Sequence, residues 1–528
     1  MTTSDPSRPS RITRRRFIET VGAGAVGLSM PLGLTVGCAP NACLSQRRRP
    51  SMDWGVASGD VSGNSAIIWS RTDRTAIMMV EYAATETFRN ATRVVGPVAS
   101  NDSGYTARVD LRDLPHGQQV FYRVAFQRPD DRRAISPWVV GTLRTASIEP
   151  RPITFAFSGD TAGQGFGINT QWGGMRLYET VRRNNPDFFI HSGDNIYADG
   201  PIESTVTLDD GTIWRNVVTQ AKSKVAETLE EYRGNFEYNL LDHNVRRFNA
   251  QVPVLAQWDD HEVVNNWYPG EVLDDARYGV KDVSLLATRA RQAFFEYMPI
   301  RTAVDHPSRI FRHFHFGPLL DVLMLDMRSY RAPNGANDQP SPGPDTRFLG
   351  DDQIAWFKQR LLESKATWKV IASDMPVGLL VPDGSSAFEN ASNHDGPPRG
   401  REFELAGLLQ FIKRKAIKNV VWVTADVHYA AAHYYDPARA EFQAFDPFWE
   451  FVAGPMHAGT YPPKALDNTF GPQVKFNSVP ADLKRKRPPS EGLQFFGLAR
   501  IDPDSRVMTV SVRDLADRNL YHVDLKPK

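Results

Sequence analysis

Thiols are almost missing from this chain. Its 528 residues contain two cysteines, Cys38 and Cys43. Everything from residue 44 onward therefore lacks disulfides and cysteine metal ligands. Net charge is almost missing too: 62 Lys and Arg against 61 Asp and Glu leave +1. That balance argues against nucleic acid or an anionic membrane as a general partner, and no stable nucleic-acid partner is expected. Lys484-Arg485-Lys486-Arg487 is a local exception and reads as a solvated loop. No apolar run suits a bilayer span, because the candidate, Val21 to Gly37, is short and broken by Pro31. There is no internal repeat and no low-complexity tract. The length, with 41% hydrophobic residues, allows two or three domains with substantial cores.

The N-terminus reads as an address. Thr13-Arg14-Arg15-Arg16-Phe17-Ile18 precedes a Gly/Ala-rich apolar stretch, the pattern of a twin-arginine signal over residues 1–43. The expectation is export through the twin-arginine translocase to the periplasm, cell surface or medium. Leu34-Thr35-Val36-Gly37-Cys38 loosely matches a lipoprotein processing site, so a lipid anchor at Cys38 is an alternative ending.

Residues 52–146 read as all-β. Ser65–Ser70, Met78–Tyr82, Thr106–Leu111 and Val120–Phe126 are strand runs separated by turn residues, which fits a small fibronectin-III-like β-sandwich. Pro150 and Pro152 stiffen the junction. Residues 152–528 change texture. Apolar residues recur at helical spacing in Met175–Asn185, Ser284–Tyr297, Gln353–Glu363 and Phe403–Lys418, and these alternate with buried strand runs. That alternation predicts a layered α/β domain. Leu498–Asp502 and Val507–Val512 predict a closing hairpin.

The strand runs share an ending. Phe155–Gly159 leads to Asp160, and Asp187–His191 leads through Gly193 to Asp194-Asn195-Ile196-Tyr197. Val254–Trp258 leads to Asp259-Asp260-His261, and Val420–Ala425 leads to Asp426-Val427-His428. One strand-end Asp is ordinary turn or cap chemistry. Four strand ends delivering Asp and His to the crevice of an open sheet point to a metal site. Oxygen donors suit Fe3+, Mn2+, Mg2+ and Ca2+, and imidazole suits Fe and Zn. Two ions about 4 Å apart can clamp an in-line phosphoryl displacement, and Asp194 is the candidate bridge. Asp259 reads as a cap or support for Asp260, and Asn265 and Asn266 read as support for His261. Arg328 either holds phosphate bidentately or pairs with Asp326. His433 and His457 read as structural, while Asp395 and Arg401 sit in a Gly/Pro-rich loop that could line the mouth.

These residues resemble a known family. GDNIY is similar to the GDxxY block of metallophosphoesterases and purple acid phosphatases. WDDHEVVNNW, LDMRSYR (Leu325 to Arg331) and TADVHY (Thr424 to Tyr429) resemble blocks of PhoD-like alkaline phosphatases and phosphodiesterases. The resemblance covers nearly the whole chain. It implies a four-layer α/β/β/α catalytic domain and an iron ion, Fe3+, beside a divalent ion, most often Ca2+, with Mn2+, Mg2+ and Zn2+ as alternatives. By the same resemblance, Asp160, Asp194, Tyr197 and His428 hold the first ion, with Asp194 bridging. Asp260, Asp374 and Asp426 hold the second, while His261 contacts the leaving-group oxygen or the phosphate. At one point the chain departs from the PhoD pattern, which carries Cys in a Ser-Cys pair where Ser158-Gly159-Asp160 stands. The implied activity is hydrolysis of phosphomonoesters or phosphodiesters by metal-activated hydroxide, with His261 as general acid. Small phosphate esters and lipid or nucleotide diesters are the implied substrates. The alternatives are a phospholipase D-like phosphodiesterase and a non-catalytic phosphate- or metal-binding surface protein.

Overall fold

A computed structural model describes residues 49–528; the expected export signal, Cys38 and Cys43 lie outside the described residues. Two large sheets face each other. The first has nine strands in the order Asn519–Leu525, Met508–Asp514, Phe495–Ile501, Ile153–Ser158, Phe188–Ser192, Val254–Gln257, Val56–Gly59, Ala66–Arg71, Thr106–Leu111. The second has seven: Arg312–Phe316, Leu320–Met324, Trp368–Ala372, Val420–Thr424, Phe448–Val452, Ala431–Tyr435, Pro472–Asn477.

The strands that matter for chemistry are parallel. Ile153–Ser158, Phe188–Ser192 and Val254–Gln257 run side by side in the first sheet. Leu320–Met324, Trp368–Ala372 and Val420–Thr424 do so in the second. Each is apolar on both faces, as a strand covered on both sides requires. On the inner faces, Phe155, Phe157, Phe188, Ile190 and Leu255 meet Val322, Met324, Val370, Val421 and Phe451 in one buried cluster. Phe188 stacks on Phe316 across the gap, ring centroids 4.1 Å apart. Each such side chain contributes about 1.5–3 kcal/mol by leaving water.

The outer faces are covered by helices. Arg176–Arg183, Leu229–Asn239, His243–Asn249 and Val283–Tyr297 pack on the first sheet. Asp351–Glu363 and Glu402–Arg414 pack on the second. The result is the expected α/β/β/α sandwich. Among the described residues no helix is long and apolar enough to cross a membrane.

The N-terminal strands form a small sandwich. The sheet Thr92–Ala99, Ala76–Ala83, Gln119–Gln127, Val139–Arg144 packs against Ala66–Arg71 and Thr106–Leu111 around Ile68, Val80, Val109, Tyr122 and Val124. The small sandwich and the layered domain pack together, and residues 49–528 form one compact unit. Gly59 pairs with Val254, which joins Val56–Gly59 to the catalytic strands. A Cβ at Gly59 would lie 2.5 Å from two backbone oxygens, so this seam closes only on glycine. Asp60, wholly buried, then accepts from the Arg301 amide (2.6 Å) and pairs with Arg312 (3.1 Å).

Candidate metal centre

All the parallel strands described above end at one edge of the sandwich, and a cross-link sets their relative height. Gln257 ends its strand in the first sheet and donates from Nε2 to the carbonyls of Leu325 (2.7 Å) and Ala372 (2.9 Å) in the second. Trp258 adds a bond from Nε1 to Asp326 Oδ1 at 3.0 Å. The carboxylates that follow these strands therefore meet in a single cluster.

Three overlapping groups of donor atoms each lie within 4.8 Å: Asp160, Asp194 and His428; Asp194, Asp260 and His261; Asp259, Asp260 and Asp426. Asp194 and Asp260 are the shared members. Tyr197 reaches the first group through its hydroxyl, 2.8 Å from His428 Nε2. His428 Nδ1 donates to the Gly459 carbonyl at 2.6 Å, which leaves Nε2, the atom facing Tyr197, as the lone-pair nitrogen of the ring. Gly163 lets Tyr197 in, because a Cβ there would lie 2.4 Å from its ring. Asp374 borders the third group: it faces Asp259, and its Oδ2 lies 3.5 Å from Arg328 Nε. Asp259 itself stands with Asp260 and Asp426.

Backbone conformation sharpens the aim. Asp160 (φ 68°), Asp194 (51°), Asp426 (66°) and His428 (61°) are all left-handed. Such conformations cost non-glycine residues about 1–3 kcal/mol each and cluster at functional sites. They turn the side chains inward just after the strands end.

The electrostatics ask for cations. Both carboxylate oxygens of Asp160 and of Asp374, and Oδ2 of Asp259, are buried without hydrogen-bond partners. Burial first, and then neighbouring carboxylates, push Asp160, Asp194, Asp374 and Asp426 well above the usual carboxylate range. For Asp260, burial is outweighed by His261 and Arg328, which hold it at about 2. Burial first, with the His261 charge adding to it and the Gly459 hydrogen bond opposing, takes His428 to about 3, which suits a neutral, ligating imidazole. Unpartnered oxygens, a neutral imidazole and an inward phenol form the donor set of a hard cation.

His261 is different. Its side chain keeps 12% exposure, while Asp160, Asp374 and Arg328 keep 1% or less. Its Nδ1 sits 2.8 and 2.9 Å from the two oxygens of Asp199. Burial pushes the ring pKa down, but Asp199 and then Asp260 outweigh it and raise His261 to about 10. The ring also packs on Tyr197, centroids 4.2 Å apart. It is an imidazole held by a carboxylate at the mouth.

Arg328 takes neither role foreseen for it. Its guanidinium is fully buried and binds Asp259 (2.6 Å) and Glu389 (2.9 Å), with Asp260 and Asp426 about 4 Å away. Asp326 instead receives the Arg328 amide, the Ser329 hydroxyl and Trp258. Arg328 is thus an internal counter-ion. Arg401 does not line a mouth either; it is buried and donates to the carbonyls of Ala332 (2.7 Å) and Glu389 (2.7 Å). Asp395 caps Asn468. His433 binds Glu450, and His457 binds the Gly167 carbonyl. The amides of Asn265 and Asn266 hold Asp199 and Asp260.

Sequence reasoning passed over Asp199, Glu262 and Glu389. Asp199 lies in the same conspicuous stretch as Asp194, and Glu262 directly follows His261; Glu389 had no signal. Glu262, fully buried, accepts from the Asn195 amide (2.5 Å), the Asn195 side chain (2.8 Å) and the Asp259 amide (2.8 Å). It fastens the Asp194 turn to the Asp259 turn.

Comparison with known proteins agrees with this geometry. The PhoD-like phosphatase family matches residues 155–512, and its N-terminal domain matches residues 37–147. The chain belongs to the PhoD-like phosphatase family. It is similar to alkaline phosphatase D of Bacillus subtilis (strain 168), with 28% identity over 442 residues, covering 79% of this chain and 71% of that protein. The solved structure of PhoD superposes with a TM-score of 0.66 at 22% identity, over 90% of this chain and 89% of that one. A purple acid phosphatase from yellow lupin (Lupinus luteus) superposes at 0.55 and 10% identity, over 90% and 74%. As a PhoD-like phosphatase the chain is a metal-dependent hydrolase of phosphoric esters, and its carboxylate cluster fits the metal that this chemistry needs.

Glu262 gives a test that needs no metal. Glu262→Ala leaves two buried amides unpaired, each worth about 1–3 kcal/mol. Denaturant unfolding of the chelated protein should show a loss of about 2–5 kcal/mol; an unchanged midpoint would remove this fastening role.

Proposed function

We propose that this PhoD-like phosphatase is exported by the twin-arginine route and hydrolyses phosphomonoesters, phosphodiesters or both. The observation that carries the reading is the His261–Asp199 pair, Nδ1 2.8 Å from the carboxylate, standing at the mouth of a cluster of unpartnered carboxylates. In this proposal Asp160, Asp194, Tyr197 and His428 hold Fe3+, and Asp260 and Asp426, with Asp374 or Asp259, hold a divalent ion, Ca2+ before Mn2+, Mg2+ or Zn2+. When bound, the ions polarise the phosphoryl group and supply the activated water.

The chain's own residues do the rest. Asp194, shared between groups of donors, keeps the two halves of the centre in register. His261 donates a proton to the departing oxygen, and Asp199 fixes the donating tautomer by accepting from Nδ1. Arg328 stabilises the folded acid cluster from within, because a buried guanidinium offsets several carboxylates at once. The retained proton donor favours an enzyme over a binding protein, which would have no use for one.

Three measurements check this. For the metal, Asp194→Asn should lose most of both ions by elemental analysis; full metal content with full activity would overturn the assignment. For proton donation, His261→Ala should slow alkyl phosphates by about 10²–10⁴ and nitrophenyl phosphate far less, because nitrophenolate leaves without a proton. Asp199→Asn should follow the same pattern more weakly. Equal losses on both esters would assign His261 to phosphate binding instead. For export, Arg14 and Arg15 replaced together by Lys should hold the precursor in the cytoplasm, and unchanged secretion would remove the twin-arginine reading.

A further inference from the structure

The basic run Lys484-Arg485-Lys486-Arg487 plays no part in the chemistry above, yet it lies on the rim of the centre. Reciprocal backbone bonds between Thr460 and Arg487, both 2.9 Å, tie it to the segment around Gly459. That segment holds His428: Gly459 accepts from its Nδ1, and the Tyr461 amide donates to its carbonyl at 3.2 Å. The Tyr461 ring stands edge-on to the His428 ring, with centroids 5.4 Å apart. The Arg485 guanidinium lies 5.3 Å from the centre of the same Tyr461 ring. The Lys486 stem lies against Gly459, where a Cβ would come 3.2 Å from its Cγ. Lys486 is itself left-handed, φ 62°, a conformation that costs a lysine about 1–3 kcal/mol.

The charges divide into two sets. Lys484 and Arg487 are spent on Asp209 and Glu491. Arg485 and Lys486, and Lys464 in the segment after Tyr461, make no ion pair among the described residues. Arg485 and Lys486 are exposed and Lys464 half-buried. Arg485 and Lys486 are thus anchored beside a proposed metal ligand, with Lys464 three residues on from Tyr461, in a chain whose net charge is only +1. Solvation alone does not require this. A solvated loop has no need of a strained lysine, or of a guanidinium laid on a ring that touches the site.

Resting on the phosphoesterase reading, we propose that Lys464, Arg485 and Lys486 form a subsite for a second anionic group. The favoured substrates are then small soluble esters whose alcohol part carries another phosphate. Tyr461 stands between His428 and Arg485, edge-on to the first ring and under the second group's guanidinium, so one aromatic ring separates the cation from the proposed ligand. A cationic wall there raises the capture rate of a doubly charged ester more than that of a singly charged one.

The test compares fructose monophosphate with fructose bisphosphate on the full metal-loaded protein. The variant Lys464→Ala/Arg485→Ala/Lys486→Gly removes the cations, and its glycine suits the left-handed position. Wild type should prefer the bisphosphate by about tenfold or more in kcat/KM, with the preference shrinking as salt rises. The variant should lose the preference while hydrolysing nitrophenyl phosphate at the wild-type rate. Equal ratios in the two proteins, or no preference in wild type, would overturn the subsite. Calorimetric binding of the two fructose esters repeats the comparison without turnover. A protein that hydrolysed nothing would thus refute the phosphoesterase reading while the binding ratio still decided the subsite.

Discussion

The structure is organised around one costly arrangement: Asp160, Asp194, Asp259, Asp260, Asp374 and Asp426 are buried together at one edge of a double sheet. A lone carboxylate transferred from water to such a place would simply take up a proton. Six of them require cations, and among the described residues Arg328 and His261 stand against the cluster. Arg328 touches the cluster from below, and His261 closes it from above. Between these lie oxygens that no protein group partners. That imbalance is what makes the cluster a metal centre rather than a structural ion-pair network, and the family membership then says which reaction it serves.

Holding the acids in place draws on the fold in three ways. The parallel strands deliver them in register, Gln257 fixes one sheet against the other, and Glu262 fixes two of the delivering turns to each other. Left-handed backbone at Asp160, Asp194, Asp426 and His428 then bends each side chain inward. These conformations and the buried charges both cost stability, so the surrounding core has to over-determine them. The wide apolar interface between the sheets, with Phe155, Phe188 and Phe316 stacked through it, is placed to do that.

The parallel core and the centre were legible because their signals are local. Buried strands read as unbroken apolar runs, and an acid straight after such a run needs no knowledge of the partner sheet. Helix ends were read within a few residues because caps and apolar spacing are also local; Thr228 and Asp242 cap helices that went unread, Leu229–Asn239 and His243–Asn249, where the apolar pattern is weaker. Other features depend on distant pairing. The union of Val56–Gly59 with Val254–Gln257 rests on a seam at Gly59, which no periodicity announces. Arg328 looked like a phosphate ligand because its motif is written on a loop, and only the approach of Glu389 and Asp259 from elsewhere in the chain shows it to be internal. Asp199 was in plain view, but its meaning depends on where His261 arrives.

Asp160 bears on the nature of the first ion. Where the PhoD pattern has a soft thiolate, this chain has a carboxylate with both oxygens free of partners, packed so closely on Gly454 that a Cβ there would lie 2.1 Å from Oδ2. The donors around that position are then oxygens and one imidazole, a hard set. Tyr197 adds a stricter condition. Burial, and after it Asp194, hold its phenol well above the ordinary tyrosine range, so an ion that binds it as phenolate has to displace the proton. The electrostatic demand is softer beside Arg328. There a guanidinium already offsets part of the carboxylate charge, and a divalent ion completes the balance without over-neutralising it.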